Sequence, residues 1–122
     1  MNNMKKEAIN IKDKFGKFSE QWSPKIIAQM NDYHFKLARV KGYFTWHDHK
    51  DTDEVFLVIK GELRIDFKDG SVTIREMFVV PKGVENKPFA EKECKILIVD
   101  PAGTVNTGDA GGNQTTENNI WI

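Results

Sequence analysis

Apolar and polar residues alternate through the middle of the chain, which predicts a series of short β-strands. Leu63, Ile65 and Phe67 are separated by charged residues, a period of two that is typical of a strand with one face on a core and one in water. Comparable runs begin near residue 25 and continue to the segment KILIVDP at residues 95–101. Turn-forming residues separate these runs at Asn31-Asp32, Lys60-Gly61, Asp69-Gly70 and Pro81-Lys82-Gly83. Short strands at this spacing indicate an all-β sandwich or barrel.

The two ends of the chain follow other patterns. Near the start, large apolar residues recur at spacings of four, three and four, at Ile11, Phe15, Phe18 and Trp22. This spacing predicts one face of a short amphipathic helix, interrupted by Gly16 and ended before Pro24, that packs on the main body or on a partner chain.

The last 20 residues are rich in Gly, Asn and Thr and contain few large apolar groups until Ile120-Trp121-Ile122. This composition predicts an extended tail whose apolar end is either docked in a groove or frayed. The chain therefore divides into an N-terminal arm with a short helix (residues 1–24), a barrel (25–102) and an extended tail (103–122).

Composition removes several classes of partner. The chain has 122 residues, enough for one domain, and its 18 basic and 18 acidic residues give a formal net charge of zero. Neither nucleic acid nor an anionic membrane surface is expected as a partner, and no apolar run approaches a membrane span. The single cysteine, Cys94, excludes an intrachain disulfide and favours the reducing cytoplasm, and its thiol is expected to be inert or half-exposed rather than catalytic.

Two of the three histidines lie two residues apart, in HDHKDTDE at residues 47–54. On a strand, His47 and His49 would point to the same face, roughly 6–7 Å apart, and a tight return would bring Glu54 toward them. Imidazole and carboxylate together suit divalent iron, manganese, zinc or nickel; the other interpretation is a hydrogen-bonded polar cluster. Phe56 and Val58 share the parity of Glu54 and are expected to line the interior beside it.

The order of these residues resembles the cupin superfamily, in particular its small single-domain members. The first cupin motif corresponds to GYFTWHDHKDTDEVFLVIKG (residues 42–61) and the second to REMFVVPKGVENKP (residues 75–88), and the resemblance extends over residues 25–109. It implies a jelly-roll barrel, also called a double-stranded β-helix. It also implies a metal held by His47, His49 and Glu54 together with a histidine of the second motif.

That last histidine is replaced here. Asn86 occupies its position, and Arg75 stands where the second motif begins with glycine. Asparagine offers a neutral carbonyl oxygen, a poorer ligand than imidazole for these metals. Three arrangements stay open: a metal on His47, His49 and Glu54 alone, a metal with Asn86 as a weak fourth ligand, or a pocket that binds organic ligands without metal.

The resemblance implies a small-molecule ligand and a divalent metal in the barrel pocket, with isomerase-like or dioxygenase-like chemistry if the protein is an enzyme. The alternative is a non-catalytic binding or sensing module with a degenerate metal site. No residue is assigned a catalytic role, and a content of only three arginines speaks against a phosphorylated sugar as substrate. A homodimer is expected, through edge strands, the N-terminal stripe or the Trp121 end.

Overall fold

A computed structural model of the protein describes residues 6–122. It contains one short helix, α1 (Ile11–Phe15), and seven strands. The strands are β1 (Lys25–Met30), β2 (Tyr33–Tyr43), β3 (Glu54–Lys60), β4 (Leu63–Phe67), β5 (Gly70–Ile74), β6 (Met77–Val80) and β7 (Asn86–Pro101). Within the described residues, no helix is both long enough and apolar enough to cross a membrane.

The strands pair antiparallel in the order β1-β2-β7-β3-β6, and β4 pairs with both β5 and β7. The 16-residue β7 joins the two parts of the sheet. Its first residues pair with β4, where Phe67 faces Asn86, and its second half lies between β2 and β3, where Leu97 faces Leu37 and Leu57. β7 thus pairs with strands of both parts of the sheet. The predicted all-β jelly roll with a short helix is confirmed.

The predicted alternation orients the central strands. In β3, Glu54, Phe56 and Val58 are buried, whereas Leu57 and Ile59 face outward. Phe56 and Val58 join the main core with the inward residues of β2, β4 and β7, which include Ala38, Val40, Leu63, Ile65, Ile96 and Ile98. The apolar interior therefore lies directly beneath Glu54.

The helix is shorter than its apolar stripe predicts. Asn10 caps α1 by accepting a hydrogen bond from Asp13 N, and the helix ends at Phe15, immediately before Gly16. Beyond that point the Arg39 side chain donates to the carbonyl oxygens of Phe15 (2.8 Å) and Phe18 (3.0 Å). These bonds satisfy main-chain acceptors without a further helical turn.

Phe15 and Phe18 still pack inward as the stripe predicts. They form a second core cluster with apolar residues of β1, β2 and β7, namely Ile27, Leu37 and Leu97. The stripe is therefore used within the chain itself.

The tail does not take the extended course that its composition predicts. It folds through turns against the barrel, and Thr107 within it is fully buried. Its end is docked: Ile26 N donates to Ile120 O (2.8 Å) and Ile122 N donates to Ile26 O (3.1 Å). Hydrogen bonds to the backbone of β1 therefore satisfy main-chain groups at the end of the tail.

Cys94 is buried in β7 rather than half-exposed. Burial raises the pKa of its thiol to about 11, and the nearby Glu62 carboxylate acts in the same direction. Burial therefore accounts for the low reactivity expected of this thiol.

Candidate metal centre

His47, His49 and Glu54 meet at one end of the barrel. The two histidines lie in the segment between β2 and β3, and Glu54 is the first residue of β3. All three side chains are buried, and one ligand atom from each lies within 4.8 Å of the others. The chain turns back between His49 and Glu54, as expected from the sequence, and this turn brings the carboxylate close to both imidazoles.

His47 is held from both sides of its backbone. Its N–H donates to Asn86 O (3.0 Å) and its carbonyl accepts from Asn86 N (2.9 Å). Its ring Nδ1 lies 3.1 Å from Thr45 O, which can only accept, so Nδ1 carries the proton and Nε2 keeps a lone pair. Burial lowers the pKa of His47 and keeps the ring neutral, as metal ligation requires.

His49 is positioned by two glycines from distant parts of the chain. Gly83 N donates to His49 O (2.8 Å), and Gly108 of the tail packs on the adjoining Asp48. Burial, followed by the neighbouring His47, lowers the pKa of His49 to about 4. Its Nε2 is buried without a hydrogen-bond partner, because the nearest Glu54 oxygen lies 3.5 Å away.

Glu54 shares its surroundings with a buried ion pair. Burial and the adjacent Asp100 carboxylate raise the pKa of Glu54 well above its usual range, while Lys36 acts in the opposite direction. Lys36 Nζ lies 2.7 Å from Asp100 Oδ1, and both side chains are almost fully buried. Burial and the neighbouring Asp100 both disfavour the ionised form of Glu54, and a cation in contact with that carboxylate would stabilise it.

Asn86 is almost fully buried and belongs to the same neighbourhood. The antiparallel bridge pairs it directly with His47, an arrangement that places two side chains on the same face. Its Nδ2 donates to Val84 O (3.1 Å) and His47 O (3.4 Å), whereas its Oδ1 is buried without a partner. The amide is therefore anchored by its nitrogen and leaves an acceptor oxygen unused.

These observations test whether a divalent ion suits the site. A self-contained polar cluster should pair its buried atoms, but His49 Nε2 and Asn86 Oδ1 are left without partners. Both atoms can donate a lone pair, and two imidazoles with one carboxylate match the ligand preferences of first-row divalent metals. The residues fit such an ion in His47, His49 and Glu54, with Asn86 alongside.

A narrow cavity leads from these ligands into the barrel. Its volume of about 40 Å³ is several times the space that one buried water needs. Its polar wall consists of Lys36, His47, Glu54 and Asn106, and Phe56 contributes to the apolar wall. Phe56 and Val58 both belong to the main core, but Val58 is not among the residues that line this cavity. The remaining lining residues are Trp22, Pro24, Ala38, Val40, Phe44, Leu63, Pro88, Ile96 and Ile98.

Several residues around the site are not identified by the sequence motifs. Lys36 had a detectable signal, because it shares the strand parity of Ala38 and Val40, which are apolar and buried. Asn106 and Gly108 had no detectable signal in the sequence, because they reach the mouth of the barrel only when the tail folds. His34 has the opposite parity to Phe35 and Leu37, from which a solvated side chain is expected, but it lies on the same buried face of β2 as Lys36. Its Nε2 lies 3.2 Å from Gln29 Oε1 and its ring packs against Trp121.

A small jelly-roll barrel with a buried pair of histidines and a glutamate at one end defines the class of protein. The comparisons with known proteins agree. A cupin-2 domain containing protein from Shewanella frigidimarina is 57% identical, with a TM-score of 0.75, over 76% of this chain and 93% of that one. This chain belongs to the cupin superfamily, as a small cupin-2 type domain.

Two further relatives are also similar. Protein NMB1881 from Neisseria meningitidis is 37% identical with a TM-score of 0.72, over 78% of this chain and 99% of that one. The uncharacterised protein YdbB of Bacillus subtilis is 36% identical over 90 residues, which is 71% of this chain and 74% of that protein. No family model matches the chain.

Proposed function

We propose that this cupin binds one divalent first-row metal ion through His47, His49 and Glu54 and a small organic ligand in the adjoining cavity. The observation that carries the proposal is the convergence of three buried ligand atoms within 4.8 Å, on neutral imidazoles and a carboxylate. Iron, manganese, zinc and nickel all suit this ligand set. The buried free thiol of Cys94 supports a reducing, cytoplasmic setting.

A bound divalent ion would supply Lewis acidity toward an oxygen atom of the ligand, the chemistry that an isomerase-like reaction uses. A redox-active ion such as iron would also supply the oxygen chemistry of a dioxygenase-like reaction. The chain supplies the surroundings. Thr45 O holds the His47 ring, and Phe44 packs edge-on against the same ring at 5.1 Å. The apolar wall contributed by residues such as Phe56 excludes water from the ligand side.

Metal analysis tests the site. The purified protein is stripped with a chelator, reloaded separately with each candidate metal, and assayed for bound metal after dialysis. We expect one equivalent in the wild type and a loss of tight binding in His47→Ala. His34→Gln is the matched control, a buried histidine outside the cluster that should keep full metal content. Full metal content in His47→Ala would refute the ligand assignment.

Asn86 favours a second candidate, a non-catalytic binding or sensing module. Its nitrogen is committed to backbone carbonyls, so only a neutral oxygen faces the place of the fourth ligand. The variant Asn86→His separates the two proposals. Metal in the variant but not in the wild type would assign this chain to the module, whereas metal in both would support the three-ligand site.

We also propose a homodimer, through the outer face of β3 and β6. Leu57, Ile59, Met77 and Val79 are all exposed there, and β6 ends the strand order. Light scattering should give twice the mass of one chain, and Met77→Lys should halve it. Met30→Lys, an exposed methionine at the β1–β2 hairpin, is the control and should leave the mass unchanged.

A further inference from the structure

Lys36 places a cation in the wall of the cavity. It lies on the inward face of β2, and it is the one lysine or arginine that lines the cavity within residues 6–122. An ammonium group has three N–H donors, and the 2.7 Å contact with Asp100 engages it from one side. Lys36 can therefore hold Asp100 and still offer a donor to a molecule in the cavity.

A buried ion pair of this kind is expected to add little net stability. The desolvation of two buried charges offsets most of their attraction, and a well-packed apolar pair at the same place is commonly as stable or more so. Asp100 lies on β7 opposite His34, which is two positions from Lys36 on β2. The Asp100 side chain is therefore a diagonal neighbour of Lys36 and can orient its ammonium group. The pair holds the ammonium group at a defined place beside Glu54.

The charges of the site leave a positive excess once a divalent ion is bound. Lys36 and the ion would contribute three positive charges, whereas the carboxylates of Asp100 and Glu54 would contribute two negative ones. An unbalanced charge in a low-dielectric cavity is costly, and a ligand with one negative charge removes that cost.

We propose that Lys36 is the anion-recognising residue of the cavity, and that the ligand is a small organic anion with an apolar body and one carboxylate group. This inference rests on the proposed function. The apolar body would lie against the wall formed by residues such as Ala38 and Phe56, and the carboxylate would accept a hydrogen bond from Lys36 Nζ.

Benzoate and benzamide test the inference, because the two probes share a shape and differ in charge. Binding is measured by calorimetry on the Co²⁺-loaded protein, and Co²⁺ content is measured separately on each sample. In Lys36→Met, we expect benzoate affinity to fall about tenfold or more, the effect of losing a charge-assisted hydrogen bond, with benzamide affinity little changed. Lys36→Arg should retain a preference for benzoate.

Two further variants keep the test decisive. Lys36→Met leaves Asp100 unpaired, so the double variant Lys36→Met/Asp100→Asn is measured alongside it and replaces it if the single variant does not fold. Lys41→Met removes an exposed lysine from the same strand and should bind benzoate as the wild type does.

The outcomes separate the two proposals. A wild-type protein that takes up no Co²⁺ contradicts the proposed metal site. A Co²⁺-loaded wild type that does not prefer benzoate to benzamide overturns the role of Lys36, and so does a fully loaded Lys36 variant with unchanged preference. Loss of preference at full Co²⁺ content supports the role of Lys36.

Discussion

Replacement of Gly108 by alanine tests whether the C-terminal tail shapes the metal centre. Gly108 has a φ of +57°, and a Cβ added there would lie 2.0 Å from the carbonyl oxygen of Asp48 and 3.6 Å from His49 Nδ1. A methyl group cannot occupy that position, so either the tail or the segment bearing His49 must move. Both movements disturb packing that the native fold depends on.

Two costs add in this variant. An alanine in the left-handed region costs about 1–2 kcal/mol relative to glycine. The steric overlap adds about 1–3 kcal/mol, the usual cost of overpacking a well-packed site. Displacement of His49 should also weaken metal binding roughly tenfold or more, as the loss of outer contacts to a metal ligand commonly does.

Gly111→Ala provides the matched control. Gly111 lies in the same tail with a φ of +66°, but an added Cβ there would meet nothing within 4 Å. This variant should show the backbone cost alone, with metal affinity unchanged. The difference between the two variants therefore isolates the contact of the tail with the metal-binding segment.

Urea denaturation of the metal-free proteins gives the free energies of unfolding, and competition with a chelating dye gives the metal affinities. We expect Gly108→Ala to be less stable than Gly111→Ala by about 1–3 kcal/mol. Equal stability and equal metal affinity in the two variants would refute the view that the tail supports the site.

Three further predictions follow from buried groups. In the metal-free protein, Glu54→Gln should raise the free energy of unfolding at neutral pH while removing tight metal binding, because the pKa of Glu54 is raised by burial and by Asp100. Deletion of residues 118–122 removes the two backbone hydrogen bonds to Ile26 and should lower the free energy of unfolding by about 1–3 kcal/mol, measured in urea. Cys94 should resist iodoacetamide at mildly alkaline pH in the folded protein and react in urea, since its pKa is about 11 and its side chain is buried.

The sign of the Glu54 effect follows from proton linkage. Because its folded pKa lies above 4.5, the folded state binds more protons than the unfolded state above that pH. The stability of the metal-free protein should therefore decline as pH rises from 4.5 toward the folded pKa, and Glu54→Gln should lack that decline. Glu85→Gln, an exposed glutamate, should follow the wild-type pH curve; identical curves for all three proteins would contradict the prediction.

The other two predictions have equally direct tests. A truncated protein with unchanged denaturation would mean that the docked end of the tail adds nothing to stability. Rapid alkylation of Cys94 in the native protein would contradict its burial.

Strand positions and the metal-ligand candidates could be predicted because they depend on local patterns. Alternation places Glu54, Phe56 and Val58 on one face of a strand wherever that strand is buried on one side. The order of the two motifs, with His47, His49 and Glu54 in the first, indicated the barrel. The substitution at Asn86 was visible in the sequence too, but its consequence was not, because that depends on which atoms its amide meets.

Local patterns were insufficient where main-chain groups found distant partners. The apolar stripe predicts a helix as far as Trp22. The helix instead ends at Phe15, and the Arg39 side chain from β2 donates hydrogen bonds to the carbonyl oxygens of Phe15 and Phe18. Similarly, a solvated His34 was expected from its opposite parity to Phe35 and Leu37, yet its ring is buried and packs against the docked Trp121. In both cases a residue far away in sequence changed the outcome.

The sequence by itself determined the all-β barrel, the resemblance to the cupin superfamily, and the two histidines and the glutamate of the candidate site. Side-chain alternation and motif spacing are properties of the chain and can be read without the structure. Only the tertiary structure decided which groups surround those ligands. Lys36 on β2 and Asp100 on β7 are separated by 64 positions in the sequence, and Gly108 reaches Asp48 from the tail. Such contacts arise when the strands close into a barrel, because closure brings together side chains whose separation along the chain carries no local signal.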